Sequence, residues 1–402
     1  MAKFKIAIYF SDTGGGHRSA ADAIEAGIKE IAANDSLGHE FEIVRDNIVE
    51  HSHPLNTKFV DLYNYLLRHN QRAMQLYYWV INLLKPNDSE FGYKLCAPYL
   101  EKVLLDVDPD VIVSVHPMTN QYIARALQET KLNLKTKLVT VVTDPNGEFW
   151  RGWACTSADL TCVPNDLGRN QLIAWGVPPE RIRALGMPIN PDFLKPPSMG
   201  REEFRHHLGL HRDRLTVCIN AGWAGGGNMM EVYRQLAHVN RQIQVIFLCG
   251  HNRVLYEKAK REARKSDVPT AVLPFHDKMS DLMSAVDLMV TKSGGLTTFE
   301  AVAKRLPMAL DMLTKPMPQE LGTARIMIEN GLAQPVHQKE DIIEIVEKFV
   351  PVAERADEKL PANLCLDRAG AVYDIARAIM SYCDPLYQPN PEHRPVVERI
   401  TP

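Results

Sequence analysis

No stretch of this 402-residue sequence approaches the roughly 18–20 uninterrupted apolar residues of a membrane-spanning helix. A secretory leader is missing too: Met1-Ala2-Lys3-Phe4 runs straight into a strand pattern, without a charged segment followed by a long apolar one. An excess of either charge is lacking. A formal net charge of −3 removes the main electrostatic argument for nucleic acid as a partner. The expected location is therefore cytoplasmic, with a peripheral seat on the inner face of a membrane left open. Paired cysteines are absent as well. Seven cysteines, an odd number with no CxxC pair, imply neither a zinc knuckle nor a disulfide framework, and Cys218 and Cys249 sit in apolar runs as small core residues. There is no G-x-G-x-x-G with an acidic residue about 20 positions on, and no GKS/T of a P-loop. Nor is there a DxD placed after a strand or a His/Cys ligand set, so no metal and no cofactor are expected. Asp106–Asp110 alternates acids but precedes a strand, and reads as a polar turn.

What is present is the composition of a globular protein, 45% apolar and 24% charged, in a chain too long for one core. Short β-branched runs alternate with helical stretches, which predicts parallel sheets covered by helices. The first series runs Lys5–Phe10, Phe41–Asp46, Asp110–His116, Leu138–Asp144, Leu160–Pro164 and Ile182–Met187. The second runs Leu215–Ala221, Gln244–Cys249, Ala271–Leu273, Leu288–Thr291 and Met308–Asp311. Pro191, Pro196 and Pro197 break the pattern between them. The expected α/β fold is two Rossmann-like domains, 1–190 and 201–375, whose parallel sheets face across a cleft, with 376–402 as a Pro-interrupted tail. Residues 51–105 form an insertion rich in aromatics, among them Phe59, Tyr63, Tyr65, Tyr77, Tyr78, Trp79, Phe91, Tyr93 and Tyr99. Their spacing is helical, which suits core packing; an apolar acceptor groove or a membrane-surface face is the alternative.

Two kinds of glycine-rich turn carry the chemistry. Ser11-Asp12-Thr13-Gly14-Gly15-Gly16-His17 follows the first strand and opens a helix over Ala20–Ala33. Glycines there allow positive φ and close approach of a ligand to main-chain N–H groups at the helix start, which makes Gly15 and Gly16 candidate binding residues. The helix dipole disfavours a cation at His17, so the imidazole should stay neutral and able to accept a proton from a hydroxyl. The alternative is that His17 only caps or packs. In the second series Ala221-Gly222-Trp223-Ala224-Gly225-Gly226-Gly227 and Thr291-Lys292-Ser293-Gly294-Gly295-Leu296-Thr297-Thr298-Phe299-Glu300 are strand–glycine loop–helix units of the kind that hold phosphate, the second leading into a helix over Phe299–Lys304. Ser293, Thr297 and Thr298 can add hydroxyl donors, and Glu300 can accept from a ribose diol.

The segment SGGLTTFEA at Ser293–Ala301 closely resembles the donor site of family 28 GT-B glycosyltransferases. SDTGGGHRSAADAI, starting at Ser11, looks still more like the monogalactosyldiacylglycerol synthases and the processive diacylglycerol glucosyltransferases. VSVHPM at Val113–Met118, Val142-Thr143-Asp144 with Trp150 behind it, Gly186-Met187-Pro188-Ile189, Cys249-Gly250-His251-Asn252 and Gln319-Glu320 follow in the family order. The resemblance implies the GT-B fold and UDP held by the second domain. By it Ser293, Gly294, Gly295, Leu296 and Thr297 meet the diphosphate, Gly222 and Gly225 line the donor loop, Glu300 meets the ribose, Phe275 the uracil, and Gln319 and Glu320 the sugar. It implies an inverting transfer with His17 and Asp144 at the acceptor oxygen, beside His116 and Trp150. Departures fall at Pro145–Trp150, where a histidine is usual, and at Met317–Thr323, which lacks a glycine and an asparagine of the family pattern.

The expected activity is metal-independent transfer of a hexose from a UDP-sugar to an acceptor hydroxyl, with diacylglycerol or another apolar alcohol as acceptor. A UDP-sugar epimerase and a non-catalytic UDP-sugar sensor are the other classes compatible with these residues.

Overall fold

A computed structural model of the chain describes residues 2–34, 38–69, 71–84, 86–237, 242–353 and 370–383. Within them the chain divides into two units: 2–63, 76–191 and 370–383 form the first, 64–75 and 192–353 the second. Each is built on a six-stranded, wholly parallel sheet with helices in the connections, the α/β class that the alternating pattern predicts.

The first sheet comprises β1 (Lys3–Tyr9), β2 (Glu40–Asp46), β3 (Val111–Ser114), β4 (Lys137–Val141), β5 (Leu160–Val163) and β6 (Ile182–Ala184), in the order β2-β1-β3-β4-β5-β6. The second comprises β7 (Leu215–Asn220), β8 (Ile243–Leu248), β9 (Thr270–Leu273), β10 (Leu288–Thr291), β11 (Met308–Asp311) and β12 (Ala333–Val336), in the order β12-β11-β10-β7-β8-β9. Helices cover both faces, so strands such as VIVS of β3 and IQVIFL of β8 are buried at every position. The last strand, Ala-Gln-Pro-Val, has no counterpart in the sequence reading. Pro335 cannot donate to a ladder, and β12 accordingly lies at the sheet edge beside β11.

The C-terminal helix Ala371–Met380 differs from the expected boundaries, which gave 371–375 to the second domain and the rest to the tail. It packs on the helix Gly16–Ala33 of the first unit. A Cβ on Gly27 would lie 3.1 Å from Val372 Cγ2, and Tyr373 donates to Glu30 Oε2 at 2.6 Å. The rest of the expected tail, 384–402, lies outside the described residues.

The insertion is helical, as its spacing predicts: Pro54–His69, Gln71–Leu84 and Glu90–Val107. Its aromatics divide. Tyr93 is core at 2% exposure, whereas Phe59, Tyr65, Trp79 and Phe91 stand in solvent together with Leu55, Leu62, Leu76 and Leu83. The side chain of Tyr78 lies outside the described residues.

Candidate active site

Both glycine-rich turns emerge where the strand order of their own sheet reverses. In the first unit β1 is flanked by β2 on one side and β3 on the other. In the second, β7 lies between β8 and β10. Ligands of open parallel sheets bind outside the carboxyl ends of the strands at such a point, because the loops diverge there and leave a crevice. The loops after β1 and β3 carry His17 and His116; those after β7 and β10 carry Gly222–Gly227 and Lys292–Gly294.

In the first unit Gly14 (φ 70°) and Gly15 (φ 83°) need the left-handed backbone, and Gly15 caps the helix. Gly16 does not: it is the first helical residue, with open space where a Cβ would stand. The helix therefore starts before the expected Ala20 and holds His17 on its first turn. Glu50 and Asn47 pin the loop. Asp12 N and Ser11 Oγ donate to Glu50 Oε1 at 2.7 and 3.0 Å, and Asn47 Nδ2 donates to Asp12 Oδ2 at 2.7 Å. Arg18 clasps the same aspartate through Nε at 2.6 Å.

His17 Nδ1 stands 2.7 Å from the carbonyl oxygen of Val115, which can only accept. Nδ1 therefore carries the proton, and Nε2 keeps its lone pair. Burial pushes the imidazole pKa down to about 4, so the ring is neutral near pH 7. Neutrality was expected from the helix dipole; the cause seen in the structure is desolvation, opposed by the hydrogen bond to Val115. Thr143 Oγ1 lies 3.3 Å from the same Nδ1.

His116 takes the opposite tautomer. Met118 N donates to its Nδ1 at 3.3 Å, so Nε2 holds the proton and donates to Thr13 Oγ1 at 3.0 Å. Burial also holds His116 far below the usual histidine range, and its ring meets that of His17 edge-on at 4.4 Å. Asp144 lies nearby, but its Oδ2 accepts from Trp153 Nε1 at 2.8 Å. The group that orients His17 is the Val115 carbonyl. The half-buried Trp150 lies over Gly152, where a Cβ would come within 2.8 Å of the indole.

In the second unit the loop after β7 is locked against the loop after β8. A Cβ on Gly225 would fall 2.2 Å from the Cys249 carbonyl, at a φ of 70°, and Asn252 Nδ2 donates to Gly225 O at 2.7 Å. Gly250 is equally tight, with its Cβ position 2.2 Å from Gly222 O. Gly225→Ala is accordingly expected to destabilise the protein by about 2 kcal/mol or more; an unchanged thermal midpoint would refute this reading of the loop. Trp223 lies edge-on to His251 at 5.0 Å, and His251 stacks on Phe275 at 4.4 Å, leaving Phe275 47% exposed.

The helix after β10 starts at Gly295, earlier than the expected Phe299. Ser293 therefore sits just before the helix cap Gly294, 1% exposed, with an Oγ that has no hydrogen-bond partner among the described residues. Thr298 differs from expectation: its hydroxyl donates back to Gly294 O and Gly295 O at 3.0 Å. Leu296, 6% exposed, can offer a ligand only its main chain. Glu300 lies on the second turn, partly buried, and its carboxylate makes no hydrogen bond among the described residues. Burial raises its pKa to about 7.

Ser293, Lys292, Asp311 and Glu320 line one pocket, closed over by Leu67 and Met74 of segment 64–75. Arg68 Nε from that segment donates to Ala224 O at 3.0 Å. Glu320 Oε2 also accepts from Met317 N at 3.4 Å, and Gln319 Nε2 donates to Met317 Sδ at 3.9 Å. Sequence reasoning passed over Lys292, whose ammonium makes no ion pair among the described residues, and over Thr13. Both lie inside motifs singled out for their neighbours.

Two doubly wound sheets, each presenting a glycine loop at its switch point, are those of the GT-B fold. Solved structures share this fold. The UDP-GlcNAc 2-epimerase of Methanocaldococcus jannaschii matches with a TM-score of 0.55 at 14% identity, over 94% of this chain and 99% of its own. MurG of Acinetobacter baumannii matches with a TM-score of 0.56 at 12% identity, over 95% and 100%. In sequence, residues 17–189 match the monogalactosyldiacylglycerol (MGDG) synthase family, and residues 228–319 the glycosyltransferase family 28 C-terminal domain. Monogalactosyldiacylglycerol synthase 1 of Arabidopsis thaliana is 28% identical over 92% of this chain and 69% of its own length. The chain is thus similar to the monogalactosyldiacylglycerol synthases over its first unit and to the family 28 glycosyltransferases over its second.

Proposed function

We propose that this protein transfers a hexose from a UDP-sugar to the free hydroxyl of a diacylglycerol-type lipid, with inversion at the anomeric carbon. The observation that carries the mechanism is the tautomer of His17: a neutral ring with Nδ1–H committed to Val115 and an open Nε2. The acceptor hydroxyl donates to that Nε2 and its oxygen attacks C1 of the sugar. As the new C–O bond forms, the bond from C1 to the diphosphate oxygen breaks and UDP leaves with the electron pair. The hydroxyl proton passes to His17 and from it to solvent.

On the donor side, Ser293 Oγ, the N–H groups opening the helix Gly295–Ala303 and the Lys292 ammonium suit the charge gathering on the departing diphosphate. Glu300 suits the ribose and Phe275 the uracil. On this reading these groups meet that charge without a metal ion, so turnover should persist in excess EDTA; loss of activity restored by a divalent cation would overturn the metal-independent reading. No helix among the described residues is long and apolar enough to cross a membrane. The exposed Phe59, Leu62, Trp79 and Leu83 suit a lipid surface instead.

The test is UDP release from UDP-galactose, UDP-glucose and UDP-N-acetylglucosamine, with and without diacylglycerol vesicles; the relatives' names put UDP-galactose first. Release that needs both one donor and the vesicles is expected. Conversion of the donor to another sugar without an acceptor would replace this reading with an epimerase.

A further inference from the structure

Two side chains with hydrogen-bonding capacity left over among the described residues, Thr13 and His17, meet the His116 ring. Thr13 Oγ1 accepts the Nε2–H of His116 at 3.0 Å, and its own proton has no acceptor among the described residues. The tautomer of His116 is fixed by Met118 N, so Thr13 cannot pass its proton to that ring. His17 touches the same ring edge-on at 4.4 Å and offers an unprotonated Nε2. A committed donor and a committed acceptor thus stand together on one buried histidine, each awaiting a ligand atom of the opposite kind.

The attacking hydroxyl satisfies His17 Nε2. It is a poor acceptor for Thr13, because a hydrogen bond to its remaining lone pair would draw density from the pair that attacks C1. The Thr13 hydroxyl is left to donate to another oxygen, and an acceptor lipid bound at His17 carries ester oxygens beside its alcohol. We propose that Thr13, held by His116, is a positioning residue that donates to an acyl ester oxygen of the lipid acceptor, selecting ester-linked over ether-linked glycerols. The inference rests on the lipid-acceptor reading above and adds to it a contact on the acceptor's acyl linkage.

The experiment compares a diacylglycerol with the dialkylglycerol of the same chain lengths, in the same vesicles, for wild type, Thr13→Val and Thr13→Ser. A hydrogen bond remote from the reacting carbon is present in both ground and transition states, so its loss raises KM for the lipid and leaves kcat. For wild type the diether should show about a tenfold higher KM than the diacyl lipid. Thr13→Val should raise KM about tenfold for the diacyl lipid and leave the diether value unchanged. Thr13→Ser, which keeps the hydroxyl, should stay near wild type on both. Equal use of the two lipids by wild type would overturn the inference, as would a Thr13→Val penalty of equal size on both. So would a Thr13→Ser enzyme that behaves like Thr13→Val. No transfer to either lipid by wild type would sink the lipid-acceptor reading itself, and the inference with it.

Discussion

Replacing His17 by alanine is expected to lower kcat by about 10²–10⁴, the usual worth of a positioned general base, and to leave UDP affinity unchanged. The two effects separate because His17 lies on the helix after β1 in the first unit, whereas Ser293, Lys292 and Glu300 all belong to the second. Turnover by initial rates and UDP binding by calorimetry check the pair. A His17→Ala enzyme with full kcat would remove the imidazole from the mechanism. His17→Gln keeps an amide near the Val115 carbonyl but has no ring nitrogen to take a proton, so it should be as slow as the alanine variant. The pH behaviour is equally specific. His17 ionises near 4 in the folded protein against an ordinary 6.5. It therefore remains an unprotonated base throughout the neutral range. Its burial costs nothing above about pH 6.5 and destabilises the fold progressively as pH falls toward 4, where the unfolded chain takes the proton first.

Removing the Glu300 carboxylate should have the next largest consequence. Glu300→Ala is expected to weaken UDP binding about 100-fold, since charge-assisted hydrogen bonds to two ribose hydroxyls would be lost together. The raised pKa adds a signature. With Glu300 titrating at about 7 and the ribose hydroxyls donating to the ionised form, UDP affinity should rise with pH up to about 7 and level off above it. Glu300→Gln should flatten that profile. A wild-type affinity independent of pH between 5.5 and 8.5 would count against Glu300 as the ribose ligand. The same shift makes the carboxyl mildly unfavourable to folding at neutral pH. Its contribution is intact below about 4.5 and lost as pH rises through 7, because the unfolded chain ionises first.

Much of this architecture is legible from residue patterns, and the gaps have identifiable causes. Strands buried on both faces read as unbroken β-branched runs, which is why all but β12 show in the sequence. The helix Gly295–Ala303 is read too late because Gly-Leu-Thr-Thr has loop-like propensity; its start is set by the glycine loop behind β10. Strand order cannot be read from a single chain, so the meeting of the turns after β1 and β3, and of those after β7 and β10, comes only from the structure. For the same reason the sequence picks out His17 but not the Val115 carbonyl that selects its tautomer. Asp144 is a partner suggested by the resemblance, yet the structure shows its Oδ2 accepting from Trp153 Nε1 and Val115 O orienting the His17 ring. Thr13 and Lys292 lack any spacing signal of their own; each is chemically ordinary until its neighbours' bonds are counted.

The C-terminal helix has a consequence for how the protein is made. Synthesis runs from the N-terminus, yet the helix that begins with Gly16 and His17 is covered by Ala371–Met380, more than three hundred residues downstream. Every strand of the second sheet has left the ribosome before Val372 and Tyr373 can settle against Gly27 and Glu30. A nascent or truncated chain ending near residue 353 would hold a complete donor sheet while the helix behind its proton acceptor still exposed an apolar flank. Maturation thus has a direction: the second sheet is complete before the helix Gly16–Ala33 receives its cover from Ala371–Met380.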